Sequence, residues 1–206
     1  MQKKNIALLF ATLAAAVMAA PIEERSNEVK CKDLYQGKLE LNMHRPDKSI
    51  GVVQSKKPVK PYGESMLLFD EESKDFPVVK FMECNLKGKD EGYTDSNTQF
   101  GRVELVDNKG MCIEHLPTDD PKLVALGVQK CDYENLNNKS DKQAFRSYLE
   151  DKFSSSTLGV MEKDGKTFHS QWRYKKEGNK SVLALTSDKA RDSRFNELQV
   201  KNIKKL

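Results

Sequence analysis

The segment Tyr35–Leu41, with the sequence YQGKLEL, decides the fold because it returns twice later in the chain. Its first echo is Phe100–Leu105, FGRVEL, and a weaker third copy is Leu158–Glu162, LGVME. The glycines of the three copies stand at positions 37, 101 and 159, so the two distances between them along the sequence are nearly equal. Each copy alternates polar and apolar residues, as a β-strand with one buried face does. An internal repeat of this period indicates a fold built from three related units.

Short alternating runs fill the rest of the chain, and no segment shows a sustained helical period. Gly, Pro, Asn, Asp and Lys separate these runs, and residues 107–110 and 163–166 are the clearest hairpin turns. The runs predict about twelve short strands: Tyr35–Leu41, Ile50–Gln54, Met66–Phe69, Val78–Met82, Gly101–Val106, Met111–Leu116, Leu123–Gln129, Ala144–Leu149, Leu158–Met161, Thr167–Tyr174, Ser181–Leu185 and Phe195–Ile203.

Three units of about four strands each predict an all-β protein and, more specifically, a β-trefoil. That fold is a closed six-stranded barrel capped by three hairpins. Closure removes exposed strand edges, which are an aggregation hazard. The main alternative is a two-sheet sandwich, which would not require a threefold repeat.

The amino-terminal residues predict export. Lys3 and Lys4 precede the apolar run Ile6–Ala16, and small residues at the end of this segment place signal-peptide cleavage after residue 19. The run is too short to span a bilayer, and no later segment is apolar enough, so we expect a secreted protein without membrane insertion. Residues 20–30 lack periodicity and are interpreted as a flexible leader, which leaves residues 31–206 as a single domain.

The charge balance argues against a nucleic-acid partner. The chain carries a formal net charge of +4, and removal of the two signal lysines lowers it to +2. A nearly balanced chain gives little support to a polyanionic partner. The basic pairs Lys56-Lys57 and Lys204-Lys205 are interpreted as a solvated loop and a solvated tail.

Four cysteines lie after the signal: Cys31, Cys84, Cys112 and Cys131. An even number of cysteines in an exported chain predicts disulfides, and spacing alone leaves all three pairings open. No pair has the C-x-x-C spacing of a zinc site. Asn138 and Asn179 each begin an Asn-x-Ser sequon and are candidate glycosylation sites.

The second repeat resembles a ricin B-type lectin domain. Its residues are GMCIE at 110–114, VQKC at 128–131 and QAF at 143–145, where the family has a Cys-Leu-Asp strand, a second cysteine and a Gln-x-Trp motif. The mature chain as a whole looks like small secreted fungal proteins of this type. The resemblance implies Cys112–Cys131 and Cys31–Cys84 disulfides, and it implies core packing for Phe145.

A lectin site needs a carboxylate, an aromatic plate and an amide. The resemblance places Glu114 at the family's acid, but Gln129 stands in place of the aromatic plate and Lys142 in place of the amide. In the third repeat, alternation puts Trp172 and Tyr174 on one face, where they are either buried aromatics or an exposed plate for a sugar. The candidate ligand-binding residues are Glu114, Gln143, Trp172 and Tyr174.

No catalytic motif is present, and the three histidines fall in three different repeats. The sequence therefore predicts a non-enzymatic protein with no cofactor and no metal, whose ligand is a glycan or a cell-wall polysaccharide. One alternative is a trefoil that binds an extracellular protein, as a protease inhibitor or secreted effector, through the loops Lys56–Glu64 or Lys87–Thr98. A scaffold without a ligand site is the third reading.

Overall fold

A computed structural model of the chain describes residues 30–44, 47–55, 65–70, 75–85, 97–117, 123–134, 142–150, 154–161, 168–169, 172–177, 180–186 and 196–206. This part of the chain contains strands and no helix, so the prediction of an all-β protein is confirmed. The strands are β1 (Cys31–His44), β2 (Asp47–Gln54), β3 (Leu67–Asp70), β4 (Val78–Cys84), β5 (Thr98–Leu105), β6 (Met111–Pro117), β7 (Leu123–Lys130), β8 (Phe145–Leu149), β9 (Ser155–Met161), β10 (Phe168–His169), β11 (Trp172–Glu177), β12 (Lys180–Thr186) and β13 (Asn196–Lys205).

Two details differ from the sequence prediction. The single strand predicted at Thr167–Tyr174 corresponds to two strands with different neighbours, since β10 pairs with β9 whereas β11 pairs with β12 and β13. Lys204-Lys205 was interpreted as a solvated tail, and that interpretation is wrong for its backbone. Both residues belong to β13, where they pair with Gln36 and Tyr35 of β1.

Six strands close into a barrel. β1 pairs with β4, β4 with β5, β5 with β8, β8 with β9, β9 with β13, and β13 with β1, all antiparallel. The ring joins the first described strand to the last, so each of its members has a partner on both sides. Such a ring is incompatible with the two separate sheets of a sandwich.

Three hairpins lie between barrel strands along the chain: β2–β3, β6–β7 and β11–β12. They also pair with one another, because β12 is hydrogen-bonded to both β3 and β7. A β-bridge between Met66 and Gly127 links the β2–β3 and β6–β7 hairpins. The three hairpins therefore form one connected layer.

The barrel interior is apolar, since the residues that alternate inward on its strands are large and aliphatic or aromatic. The core includes Tyr35, Leu39, Leu41, Val79, Phe81, Val103, Phe145, Leu158, Trp172, Leu198 and Val200. One polar chain crosses it, in which the Tyr35 hydroxyl lies 2.8 Å from Ser147 Oγ and Ser147 Oγ lies 2.7 Å from Ser156 Oγ. Burial raises the pKa of Tyr35 to about 12.

Close packing between neighbouring barrel strands explains why glycine recurs in the first two copies of the repeat. A Cβ added at Gly37 would lie 2.6 Å from the backbone oxygen of Lys201 on the neighbouring strand. A Cβ at Gly101 would overlap the backbone oxygen of Met82. Both copies therefore need glycine where two barrel strands approach closely.

Two disulfides brace the outer side of the barrel. Cys31 is bonded to Cys84 directly across β1 and β4, and Cys112 is bonded to Cys131, which follows β7. These are the two pairs that the ricin B resemblance implied. Lys30, the last residue of the predicted leader, is held by Asn85, whose side-chain oxygen accepts from the Lys30 N–H at 2.7 Å. Residues 1–29, which contain the predicted signal peptide and the rest of the predicted leader, lie outside the described residues.

Candidate functional site

Gln143 is buried, with 4% of its surface exposed, and its side-chain amide is hydrogen-bonded within the protein. Its Oε1 accepts hydrogen bonds from Arg102 Nη1 at 2.7 Å and from the Asp132 N–H at 2.9 Å. Its Nε2 donates to the backbone oxygen of Lys130 at 2.9 Å. Gln143 thus ties β5 to the chain after β7, and at least three of the four hydrogen bonds that an amide can make are already used.

Glu114 is 9% exposed and lies on β6 opposite Gly127. Strand alternation places its side chain on the face that also carries Cys112 and Leu116, both buried. Gln129, the replacement for the family's aromatic plate, lies opposite Cys112 and is half-buried. The second repeat therefore presents no aromatic ring beside Glu114 on these strands.

Trp172 lies in the core with 1% of its surface exposed, and its Nε1 donates to the backbone oxygen of Leu158 at 3.4 Å. Of the two readings for this tryptophan, the buried aromatic is the one that the structure shows. Tyr174 lies opposite Leu183 in the β11–β12 pair, and its side chain is not among those described. Asn138, Asn179 and residues 56–64 and 87–96 also lie outside the described part of the chain.

A different set of side chains comes together on the outer wall of the barrel. Thr98 of β5 lies opposite Tyr148 of β8, and Tyr148 lies opposite Thr157 of β9. Thr157 in turn lies opposite Gln199 of β13, which lies opposite Glu40 of β1. Directly opposed residues project to the same face of a sheet, so these five residues form one row, here called the wall row. Tyr148 is its aromatic member and is 39% exposed.

The wall row is flanked by carboxylates that Gln199 holds in place. Gln199 Nε2 donates to Glu150 Oε1 at 3.2 Å and to Glu197 Oε2 at 2.8 Å. The hydroxyl of Ser155 donates to the other oxygen of Glu150. Gln199 and Ser155 are buried, whereas Glu150 and Glu197 are half-buried and reach the surface. Fixed carboxylate oxygens beside an exposed ring are able to accept hydrogen bonds from the hydroxyls of a ligand.

The end of the wall row at β1 is closed by an ion pair. Lys201 Nζ lies 3.5 Å from Glu40 Oε2 and donates to Ser49 Oγ at 3.0 Å. Glu40 is 7% exposed, so its charge is shielded from solvent and compensated by Lys201. The accessible groups of the row are therefore at its Tyr148 end.

A second polar cluster surrounds Tyr133, which is 37% exposed. Its ring lies 6.0 Å from the guanidinium of fully buried Arg102, and its hydroxyl is 3.9 Å from Met82 Sδ. Next to it, Lys80 Nζ lies 2.6 Å from Glu104 Oε2 and 3.2 Å from Asp33 Oδ2. The charges of Lys80, Glu104 and Asp33 are paired with one another and Arg102 donates to Gln143, so these groups hold the barrel wall together.

The pKa values in this cluster follow from those pairs. Burial would raise the pKa of Glu104, but the Lys80 ammonium and the Gly110 N–H outweigh it, so the pKa is lowered. Burial would lower the pKa of Lys80, yet Glu104 and Asp33 leave it raised. The pKa of Tyr133 is raised by burial first and then by the charge of Glu104.

Sequence reasoning missed the wall row, although one signal was present. The run FRSYL at 145–149 alternates, and once Phe145 is assigned to the core, Ser147 and Leu149 must also face inward and Tyr148 outward. Gln199 and Glu40 could not be added in this way, because their position depends on the pairing of the two ends of the chain.

No protein-family model matches the chain, and a search of curated proteins finds no significant relative. Among the described residues, no three His, Cys, Asp or Glu side chains are grouped so as to hold a metal ion. The described residues also contain no helix long and apolar enough to cross a membrane.

Proposed function

We propose that the protein is a secreted, ricin B-like β-trefoil that binds carbohydrate at the Tyr148 end of the wall row. The trefoil assignment is supported by the ring of six barrel strands and the three connected hairpins. It is also supported by the three glycine copies, which fall on β1, β5 and β9. Secretion is supported by the signal pattern and by two disulfides, which persist in oxidising compartments.

The observation that carries the binding proposal is the register of Tyr148. Threonines flank it on both neighbouring strands, and Gln199 with its two bound carboxylates follows in the same row. An exposed ring stacks on the apolar face of a sugar, while hydroxyls, amide and carboxylates satisfy the sugar hydroxyls. The surface is an open sheet face, so affinity should be modest for a single sugar and higher for a chain that spans several strands.

We propose binding without catalysis. The half-buried carboxylates of Glu150 and Glu197 both accept from the same amide nitrogen of Gln199. A glycoside hydrolase instead holds two carboxylates on either side of the scissile bond. Two acids anchored to one point of an open wall do not enclose a bond in that way.

The test is a glycan and polysaccharide binding screen of the disulfide-intact protein, with Tyr148→Ala and Tyr133→Ala compared. The two tyrosines are almost equally exposed, so each variant removes a similar ring from a different place. We expect Tyr148→Ala to weaken binding at least tenfold, about 1.4 kcal/mol, and Tyr133→Ala to leave it nearly unchanged. Trp172→Ala is unsuitable as a site variant, because removal of a core tryptophan costs about 3–5 kcal/mol of stability.

Three outcomes would count against the proposal. Equal losses in both tyrosine variants would contradict a site at Tyr148, and so would full retention in Tyr148→Ala. Absence of binding across a broad panel would retire the carbohydrate function. It would also direct the search to a protein partner and to the loops Lys56–Glu64 and Lys87–Thr98.

A further inference from the structure

Two lysines face each other on the outer wall beside the wall row. Lys38 of β1 lies directly opposite Lys201 of β13. This pair is two residues along each strand from the Glu40–Gln199 pair and therefore lies on the same face. Like charges in directly opposed positions of a sheet are destabilising. A neutral residue in place of Lys38 would therefore be more favourable for stability than the lysine that the chain has there.

A bulge in β13 adds a third lysine to the same face. Between Lys201 and Lys204 the strand carries one residue more than β1 does, and Asn202 lies there with φ of 55°, in the left-handed region. Ile203 packs toward the core. Lys204 lies opposite Gln36, and both face outward because Tyr35, the neighbour of Gln36, faces inward. A regular strand would place residues three apart on opposite faces, so the bulge brings Lys204 to the face of Lys201 and Lys38.

The charges of these lysines are not compensated equally. Lys201 is paired with Glu40, and the nearby Lys80 is paired with Glu104 and Asp33. Lys38 and Lys204 are exposed, and within the described part of the chain neither forms an ion pair. Among the described residues, these two ammonium groups have no ion-pair partner and lie beside the end of the wall row, and we call Lys38 and Lys204 the lysine pair.

We infer that the ligand is an acidic glycan whose anionic substituent, a carboxylate or a sulfate, binds the lysine pair while a sugar ring stacks on Tyr148. This inference rests on the proposed carbohydrate function and deepens it. Tyr148 on β8 and Lys38 on β1 are three strand spacings apart, about 14 Å. A short oligosaccharide lying across β8, β9, β13 and β1 reaches both when its anionic group is at the β1 end and its uncharged sugars lie over Gln199, because Glu150 and Glu197 repel a negative charge there.

The experiment compares charged and neutral forms of the same glycan on the disulfide-intact protein. One arm uses a short neutral oligosaccharide that ends in a single uronate and the methyl ester of that uronate, and the other uses the same oligosaccharide with and without a single terminal sulfate. Binding is measured by calorimetry for the unaltered protein and for Lys38→Ala, Lys204→Ala and Lys142→Ala. Lys142 is an exposed lysine that precedes β8, six residues from Tyr148 and outside β1 and β13, and serves as the control.

We expect the charged member of at least one arm to bind more tightly than its neutral counterpart, and the arm identifies the anion. Lys38→Ala and Lys204→Ala should each weaken that binding about threefold to fivefold, and Lys142→Ala should not. Neither lysine-pair variant should alter binding of the neutral form. Lys38→Ala should also unfold at an equal or slightly higher temperature, because it removes a like-charge contact.

The failures of the two proposals are distinguishable. Equal binding of charged and neutral forms, or no effect of the two variants, overturns the acidic-ligand inference and leaves the carbohydrate function standing. An equal loss in Lys142→Ala overturns it as well, since it would show unspecific attraction of an anion. If neither form of either glycan binds, the inference falls together with the carbohydrate site.

Discussion

At the level of single residues, the two best-matched repeats share a buried acid as well as a glycine. Glu40 and Glu104 occupy equivalent places in YQGKLEL and FGRVEL, and both are at most 7% exposed. Each is paired with a lysine of an adjacent barrel strand, Lys201 in one case and Lys80 in the other. The repeat thus preserves a means of compensating a buried carboxylate on the polar face of the alternating strand.

The Glu104 pair should appear in the pH dependence of stability. Because the pKa of Glu104 is lowered on folding from its ordinary 4.5, its contribution is present above about pH 4.5 and is lost as pH falls through the lower folded value. We expect Glu104→Gln to lower the free energy of unfolding by about 2 kcal/mol at pH 7, since Lys80 loses its main partner. The difference from the unaltered protein should shrink toward pH 2.

Urea unfolding at several pH values measures this difference. Asp107→Asn, a neutralised carboxylate in the exposed 107–110 turn, is the control and should change stability by less than about 0.5 kcal/mol. A Glu104→Gln deficit that stays constant between pH 7 and pH 2 would show that the loss is one of packing and not of charge.

At the level of elements, the glycines on β1 and β5 set how closely the barrel strands approach. Gly101→Ala should lower the free energy of unfolding by about 3 kcal/mol, because the new methyl group overlaps Met82 backbone that cannot move without disturbing the β4–β5 pair. Gly110→Ala is the matched control, since nothing lies within 4 Å of its Cβ position and its φ of 83° is the only obstacle. It should cost about 1 kcal/mol.

Chemical denaturation of the two glycine variants checks this ranking. If Gly101→Ala is no less stable than Gly110→Ala, the close approach of β4 and β5 is not what requires glycine at this repeat position. Gly37→Ala extends the test to the first copy of the repeat.

The positions of the strands along the sequence were largely predictable, whereas the strands that pair with each of them were not. Alternation within runs such as Val78–Met82 and Met111–Leu116 is local, so the strands could be found from the sequence. The bulge at Asn202 has no such signal, because asparagine adopts positive φ in ordinary turns as readily as in a bulge. Alternation from Phe145 would have placed Tyr148 outward, and burial is the commoner state of a tryptophan, but which groups lie beside either ring depends on the neighbouring strands.

At the level of the whole molecule, the ends of the chain complete the barrel. β1 is paired with β13 over most of its length, and both strands contribute to the core and to the wall row. This contact joins residues at opposite ends of the sequence, so no short-range pattern could reveal it. The candidate site follows from the same closure, because Gln199 and Glu40 become neighbours only when β13 enters between β9 and β1.

Deletion of β13 should therefore abolish folding rather than loosen one edge. A chain lacking residues 196–206 loses Leu198 and Val200 from the core and leaves β1 and β9 without a partner on one side. We expect this variant to lose cooperative urea unfolding and near-ultraviolet circular dichroism. Deletion of residues 204–206 alone is the control, because it removes the final pairs with Gln36 and Tyr35 and a hydrogen bond to Leu34 but leaves Leu198 and Val200 in the core. It should cost about 1–2 kcal/mol and keep the transition cooperative. If the longer deletion also unfolds cooperatively with an unchanged denaturant slope, barrel closure by β13 is dispensable, and the wall row cannot be an obligatory product of the fold.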